Sequence, residues 1–198
     1  VARDSCSAVD RPWGVVSASW SPDSTLCAVG FHDAVWLCHT GAQWPPTGWE
    51  RPQRLGTAHT DSISTLRFSP CGTLLAVGSW DCGVSIVSSP SWNVTAKLDN
   101  VHEEMNTTLC WRPDATQLAL GSADGSVSLV MVEMNVQTQE HRVVLVGKKI
   151  LHSDGITSMA WSPDGSRLAL GADDTSVIIV STVTWEPIAK VEDDGIRA

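Results

Sequence analysis

No segment approaches the run of about 18 apolar residues that a membrane-spanning helix needs, so no transmembrane helix and no membrane partner are expected. Basic clusters are equally scarce: the longest is Lys148-Lys149, in a chain of net charge −9 and pI near 4.9. Nucleic-acid surfaces gather Lys and Arg on one face, so nucleic acid is excluded as a partner and a solvated acidic surface is expected. The six cysteines (Cys6, Cys27, Cys38, Cys71, Cys82 and Cys110) show no C-x-x-C spacing and no paired framework. Small buried thiols in a reducing, cytoplasmic compartment are expected. No H-E-x-x-H occurs, and the neighbouring side chains of His32-Asp33, His102-Glu103-Glu104 and His152-Ser153-Asp154 point apart on a strand or turn, so neither metal nor cofactor is expected. Gly78-Ser79 and Gly121-Ser122 lack the G-x-S-x-G turn of a hydrolase nucleophile, and no catalytic residue or small-molecule substrate is assigned. Helical periodicity of useful length is missing too. Yet 42% hydrophobic residues and a mean hydropathy near zero describe a globular chain.

What is present is repetition. His59 and Asp81, His102 and Asp124, and His152 and Asp174 share a spacing of 22 residues. Within each pair an aromatic (Phe68, Trp111, Trp161) is followed ten residues later by glycine (Gly78, Gly121, Gly171). A fourth copy has Trp20, Gly30 and Asp33, with Arg11 where the histidine would stand. Proline follows the aromatic by two residues in every copy, at Pro22, Pro70, Pro113 and Pro163, with small or polar residues after it. Such stretches fit hairpins between short apolar runs such as Ile63, Leu66, Phe68 and Leu74–Val77. Aromatic-to-aromatic periods of 48, 43 and 50 residues suit a four-stranded sheet per repeat. First strands are expected near 14–20, 62–68, 105–111 and 156–161. Because an active site is normally single while a structural device recurs, the His/Asp pairs read as hydrogen-bonded ties within each repeat.

On these residues the chain resembles the WD-repeat, or β-transducin-like, β-propellers. The Trp-Asp ending of that family's third strand is replaced by His39-Thr40, Val87-Ser88, Val130-Met131 and Val180-Ser181, so the repeats are divergent. The resemblance implies an all-β fold of four four-stranded antiparallel blades within a single segment, 1–198. Blades are expected near 11–57, 58–98, 99–150 and 151–191, and 192–198 would open a further repeat, since Asp194-Gly195-Ile196 echoes Asp154-Gly155-Ile156. Against a usual ring of about seven blades, this is expected to be a partial arc. Its two end faces would be apolar, around Val15, Leu26 and Ile178.

The resemblance further implies a non-enzymatic scaffold for other proteins, with contacts on the narrow face. The corresponding positions are His32, Trp80, Ala123 and Asp173 before the turn aspartates, and Ser62, Ser64, Met105, Thr107, Gly155 and Thr157 at the first strands. Trp44 and Trp49, in the proline-stiffened stretch 41–52, are further candidate partner anchors. Leu75-Ala76-Val77-Gly78 and Leu118-Ala119-Leu120-Gly121 are also similar to repeats of the echinoderm microtubule-associated protein-like family. That likeness implies an alternative role as a cytoskeletal or ciliary structural subunit.

Overall fold

The computed structural model describes residues 14–39, 52–135 and 141–192. These residues form sixteen strands, and no helix occurs among them. Each consecutive four make one antiparallel sheet in chain order. Blade 1 holds β1 (Ser17–Trp20), β2 (Leu26–Gly30), β3 (Val35–His39) and β4 (Gln53–Leu55); blade 2 holds β5 (Ile63–Phe68), β6 (Leu74–Ser79), β7 (Val84–Ser88) and β8 (Asn93–Leu98). Blade 3 holds β9 (Asn106–Trp111), β10 (Gln117–Ser122), β11 (Ser126–Met134) and β12 (His141–Ile150); blade 4 holds β13 (Ile156–Trp161), β14 (Arg167–Ala172), β15 (Ser176–Ser181) and β16 (Pro187–Glu192). Arg11, Trp44, Trp49, Cys6 and the 193–198 part of the expected further repeat lie outside the described residues.

The first hairpin of every blade closes on a residue with left-handed backbone, at Ser24 (φ 62°), Gly72 (φ 76°), Ala115 (φ 60°) and Gly165 (φ 68°). That conformation is easy for glycine and strained for the other two. The preceding aspartate compensates. Asp23 Oδ1 accepts from Ser21 Oγ (2.5 Å) and Thr25 N (3.0 Å), and Asp114 and Asp164 bond Thr116 and Ser166 in the same way. Blade 2 has Cys71 here, its sulfur 3.2 Å from Ser69 Oγ and 3.1 Å from Thr73 Oγ1; the turn leaves it exposed and the other described cysteines are half-buried, so the thiols are not buried as expected.

The hydrophobic cores are the seams between blades. Ala28, Val35 and Leu37 of blade 1 pack on Ile63, Leu66, Leu75 and Val77 of blade 2, while Leu74, Ala76 and Ile86 pack on Leu109, Trp111 and Leu118 of blade 3. Ala119, Val127 and Leu129 then meet Ile156, Leu168 and Ile178 of blade 4. Strand alternation sends neighbouring residues of one strand into different seams, which is why β6 is buried at every position. Each fully buried Leu or Ile stabilises the fold by about 1.5–3 kcal/mol relative to leaving it exposed.

The missing Trp-Asp endings have a physical substitute. Val87 and Val180 are fully buried, and in blades 2 and 4 an indole from the following turn, Trp92 or Trp185, packs in the same cluster. Both tryptophans take left-handed backbone, fixed by N–H bonds to the Ser88 and Ser181 carbonyls at 2.8 Å.

First strands contact one another in succession, β1 with β5, β5 with β9 and β9 with β13, and the first and last sheets have no extensive contact among the described residues. Two of the three residues expected on the open end faces point the other way. Ile178 is 4% exposed inside the third seam and Leu26 packs on the first, whereas Val15 is 58% exposed. One residue of alternation separates expectation from structure, since Val177 (43%) is exposed beside Ile178.

Candidate protein-interaction face

The second turn of each blade and the loop that leads into the next blade lie at one end of the sheets, here called the turn face. Main-chain bonds knit it together. Trp80 N donates to Ser62 O (2.9 Å), Ala123 N to Met105 O (3.1 Å) and Asp173 N to Gly155 O (2.9 Å). Neighbouring blades join through Ile63 N to His32 O (3.1 Å) and Val101 N to Cys82 O (2.8 Å). Asn106, fully buried, donates its side-chain amide to Ser79 O and Gly83 O of blade 2.

The repeated histidines are ties within the blades, with one difference among them. His59 Nδ1 lies 3.0 Å from both Asp81 carboxylate oxygens, and Nε2 meets Ser85 Oγ at 2.9 Å. The carboxylate can only accept, so Nδ1 carries the proton, while Nε2 also lies 3.2 Å from the Val77 carbonyl oxygen. His152 Nδ1 likewise lies 3.1 Å from Asp174. The expected contact of His102 with Asp124 is not made. Ser126 stands between them, its hydroxyl 2.7 Å from His102 Nδ1 and donating to Asp124 Oδ1. The other oxygen of Asp124 is turned to Lys148 Nζ, 3.4 Å away.

Charge follows this geometry. Burial opposes ionisation of Asp124, but the hydroxyl and N–H of Ser126, Ser122 and Lys148 together bring its pKa down to about 2. The hydroxyl of Ser176 heads the groups that lower Asp174. His102 is 4% exposed and its Nε2 has no partner in hydrogen-bonding geometry. Burial lowers its pKa to about 4, the raising effects of Asp124 and the nearby Leu120 carbonyl being smaller.

At the junction of blades 1 and 2 several expected residues meet. His32 and Trp80 stack edge to face, ring centroids 5.7 Å apart at 76°. Ser62 Oγ lies 2.8 Å from Nδ1 and 2.5 Å from Nε2 of His32, across the ring edge between them, and 3.1 Å from Asp61 Oδ1. This is no Asp-His-Ser relay. The carboxylate touches the serine and not the imidazole, and Ser62 is 2% exposed, so its hydroxyl holds a turn. Beside it a cleft of about 290 Å³ is lined by His32, Asp33, His59, Asp61, Ser62 and Ile63, among others.

The remaining expected contacts divide. Trp80 (44%) and Met105 (42%) are exposed, as are Asp173 and Thr157. Ser62 and Thr107 are used internally, for the Thr107 hydroxyl donates to the Ile156 carbonyl of blade 4. Ser64 is half-buried with its Oγ unpartnered. Two groups were missed in the sequence. One is the set of serines that complete the histidine ties, legible afterwards as Asp124-Gly125-Ser126 and Asp174-Thr175-Ser176. The other is the joint exposure of the carboxylates Asp61, Glu103, Glu104 and Asp154, the last three of which the sequence marks only as neighbours of a histidine.

Up-and-down four-stranded sheets packed side by side through their first strands, three of the four tied by a loop histidine to a turn aspartate directly or through serine, define a β-propeller of the WD-repeat class. The chain belongs to that class and, within it, to the family described as ELP1 first N-terminal beta-propeller, whose model matches residues 82–194, more than half its length. A model described as WD domain, G-beta repeat matches residues 51–88. Among solved structures the chain is similar to one titled "Crystal Structure of Mitotic Checkpoint Complex", with a TM-score of 0.73 at 21% identity. That match covers 90% of this chain and 51% of the other, so this chain spans about half the length of that relative, and the likeness is one of fold. No curated protein matches. WD-repeat propellers generally serve as protein-interaction scaffolds and are typically not enzymes.

Proposed function

We propose that this chain is a non-enzymatic scaffold that binds another protein through the turn face around Trp80. The observation that carries the reading is the state of Trp80. The residue is 44% exposed while its main chain is fixed to Ser62 and its ring packs edge to face with His32. A large apolar group held in place before binding loses little entropy on contact, the usual property of an interface anchor. Repetition of the His/Asp ties supports a structural role for them, and the inward use of the Ser62 hydroxyl supports a role without catalysis.

A photo-cross-linking residue at position 80 would identify the bound protein, and Trp80→Ala would then be titrated against it. Binding should weaken by about 2 kcal/mol, some 30-fold, with the melting temperature unchanged. Equal loss of folding and binding would place Trp80 in the core and overturn the proposal.

A further inference from the structure

We infer that the segment received by the turn face is basic, a stretch of another protein bearing Lys or Arg around an apolar side chain; this rests on the reading of that face as the binding face. The argument lies in how the carboxylates are used. At the opposite end of the blades Asp23, Asp114 and Asp164 are engaged in their own hairpins, and Glu186 is paired with Lys149 at 2.9 Å. On the turn face Asp81, Asp124 and Asp174 serve the histidine ties. Five further carboxylates there, Asp61, Glu103, Glu104, Asp154 and Asp173, are exposed and form no ion pair among the described residues, although Asp61 and Asp154 each accept with one oxygen from the next residue.

Cations of this face among the described residues are already held. Lys97 lies 2.6 Å from Asp99, Lys148 3.4 Å from Asp124, and Arg54 3.7 Å from Asp33. Among the described residues these five carboxylates therefore meet no countercharge, and they stand beside the two exposed apolar groups: Asp61 adjoins the Ser62 carbonyl that holds Trp80 N, and Glu104 precedes Met105. Blade-to-blade bonds make the surface continuous, since the loop carrying Glu103 and Glu104 is joined to the blade 2 turn by Val101 N to Cys82 O. The cleft between blades 1 and 2 is lined by Asp61 and Ile63, among others, a concave place for a long side chain with a cationic end. An uncompensated field of one sign repels nucleic acid, anionic lipid and a second copy of this chain, whose net charge is −9, and it steers a cationic segment inward.

The test uses short peptides with Lys or Arg alternating around a central Trp or Leu, and the same peptides with Gln at each Lys and Arg. Fluorescence anisotropy should show the basic set binding about tenfold or more tightly, with the preference eroding as NaCl rises from about 50 to about 300 mM. A variant combining Asp61→Asn, Glu103→Gln, Glu104→Gln, Asp154→Asn and Asp173→Asn, all surface changes, should lose that preference and keep the wild-type melting temperature. Trp80→Ala should weaken both sets and keep the salt slope. Equal binding of the two sets, binding of neither, an unaltered five-residue variant, or an acidic or self-derived partner cross-linked at position 80 would each overturn the basic-segment inference. In every one of those cases a binding defect of Trp80→Ala toward the cross-linked partner leaves the scaffold reading standing, and the absence of any such defect removes it separately.

Discussion

Replacing Ser126 by alanine should cost the fold more than the same change at Ser176, although the two serines hold equivalent places in their blades. In blade 3 the Ser126 hydroxyl is the link between His102 Nδ1 and Asp124, and Nε2 of that histidine has no partner. Ser126→Ala therefore leaves a side chain only 4% exposed without a hydrogen bond at either nitrogen. A stranded buried polar group costs about 1–3 kcal/mol and each lost bond about 0.5–1.5 kcal/mol, which together give roughly 2–4 kcal/mol. In blade 4 Asp174 reaches His152 Nδ1 directly at 3.1 Å, so Ser176→Ala removes a redundant partner and should cost about 1 kcal/mol. The difference, on the order of 2 kcal/mol, corresponds to about 4–8 °C in melting temperature for a chain of this size. Urea unfolding followed by tryptophan fluorescence, with thermal melts by circular dichroism, measures both variants. Losses equal within about 0.5 kcal/mol, or a milder effect at Ser126, would mean that Asp124 closes on His102 unaided and would refute the relay.

Stability should also depend on pH through His102. Its folded pKa of about 4 lies below the ordinary 6.5, so the unfolded chain takes up the proton first; the contribution is full above about pH 6.5 and declines as pH falls to about 4, by on the order of 3 kcal/mol. Denaturation midpoints at steps across that range check this, and a His102→Asn variant with an equally steep profile would refute it. Cys71 should be the first of the described cysteines to react with iodoacetamide. Burial raises its pKa, but the hydroxyls of Ser69 and Thr73 outweigh that and leave it lowered, whereas burial raises Cys27, Cys38 and Cys82, and Cys110 is pushed up to about 12. Peptide mass mapping showing earlier labelling of Cys27 or Cys110 would contradict this. Gly125→Ala should cost about 3 kcal/mol or more, because φ is +72° and an added Cβ would sit 2.3 Å from the His152 carbonyl oxygen. Gly72→Ala, with a similar φ but its nearest contact at 3.3 Å, should cost about 1 kcal/mol, and equal melting temperatures for the two variants would count against the steric argument.

The repeat frame carried most of the fold, for a physical reason. Aromatic, proline and glycine positions report backbone demands, a strand end, a hairpin and a close approach, and these recur whatever the rest of the blade does. The histidine ties were legible only in part, because spacing brings two side chains to one place but does not say which third group enters between them. Ser126 enters; the equivalent Ser176 does not displace Asp174 from His152. The binding face was less legible still. Trp80 is large and follows a strand, which sequence can read, whereas the lack of countercharge at Glu103 or Asp173 depends on where Lys97 and Lys148 swing in space.

The anchor tryptophans of the first strands give the array a further property. Trp111 Nε1 donates to Arg67 O of the blade before it (3.0 Å), and Trp161 Nε1 donates to Cys110 O (3.2 Å). At the first seam Phe68 has no such proton, and the blade 2 main chain instead donates from Leu66 N and Phe68 N to the hydroxyls of Ser17 and Ser19. In every seam, then, one partner of the bond is main chain, a group that every residue at that position can provide. The strand that supplies the main-chain partner can change its side chain without breaking the joint. Such an array can drift residue by residue, or gain a unit by duplication, while each new joint forms as the last one did, and its stability adds up through nearest-neighbour terms along the row.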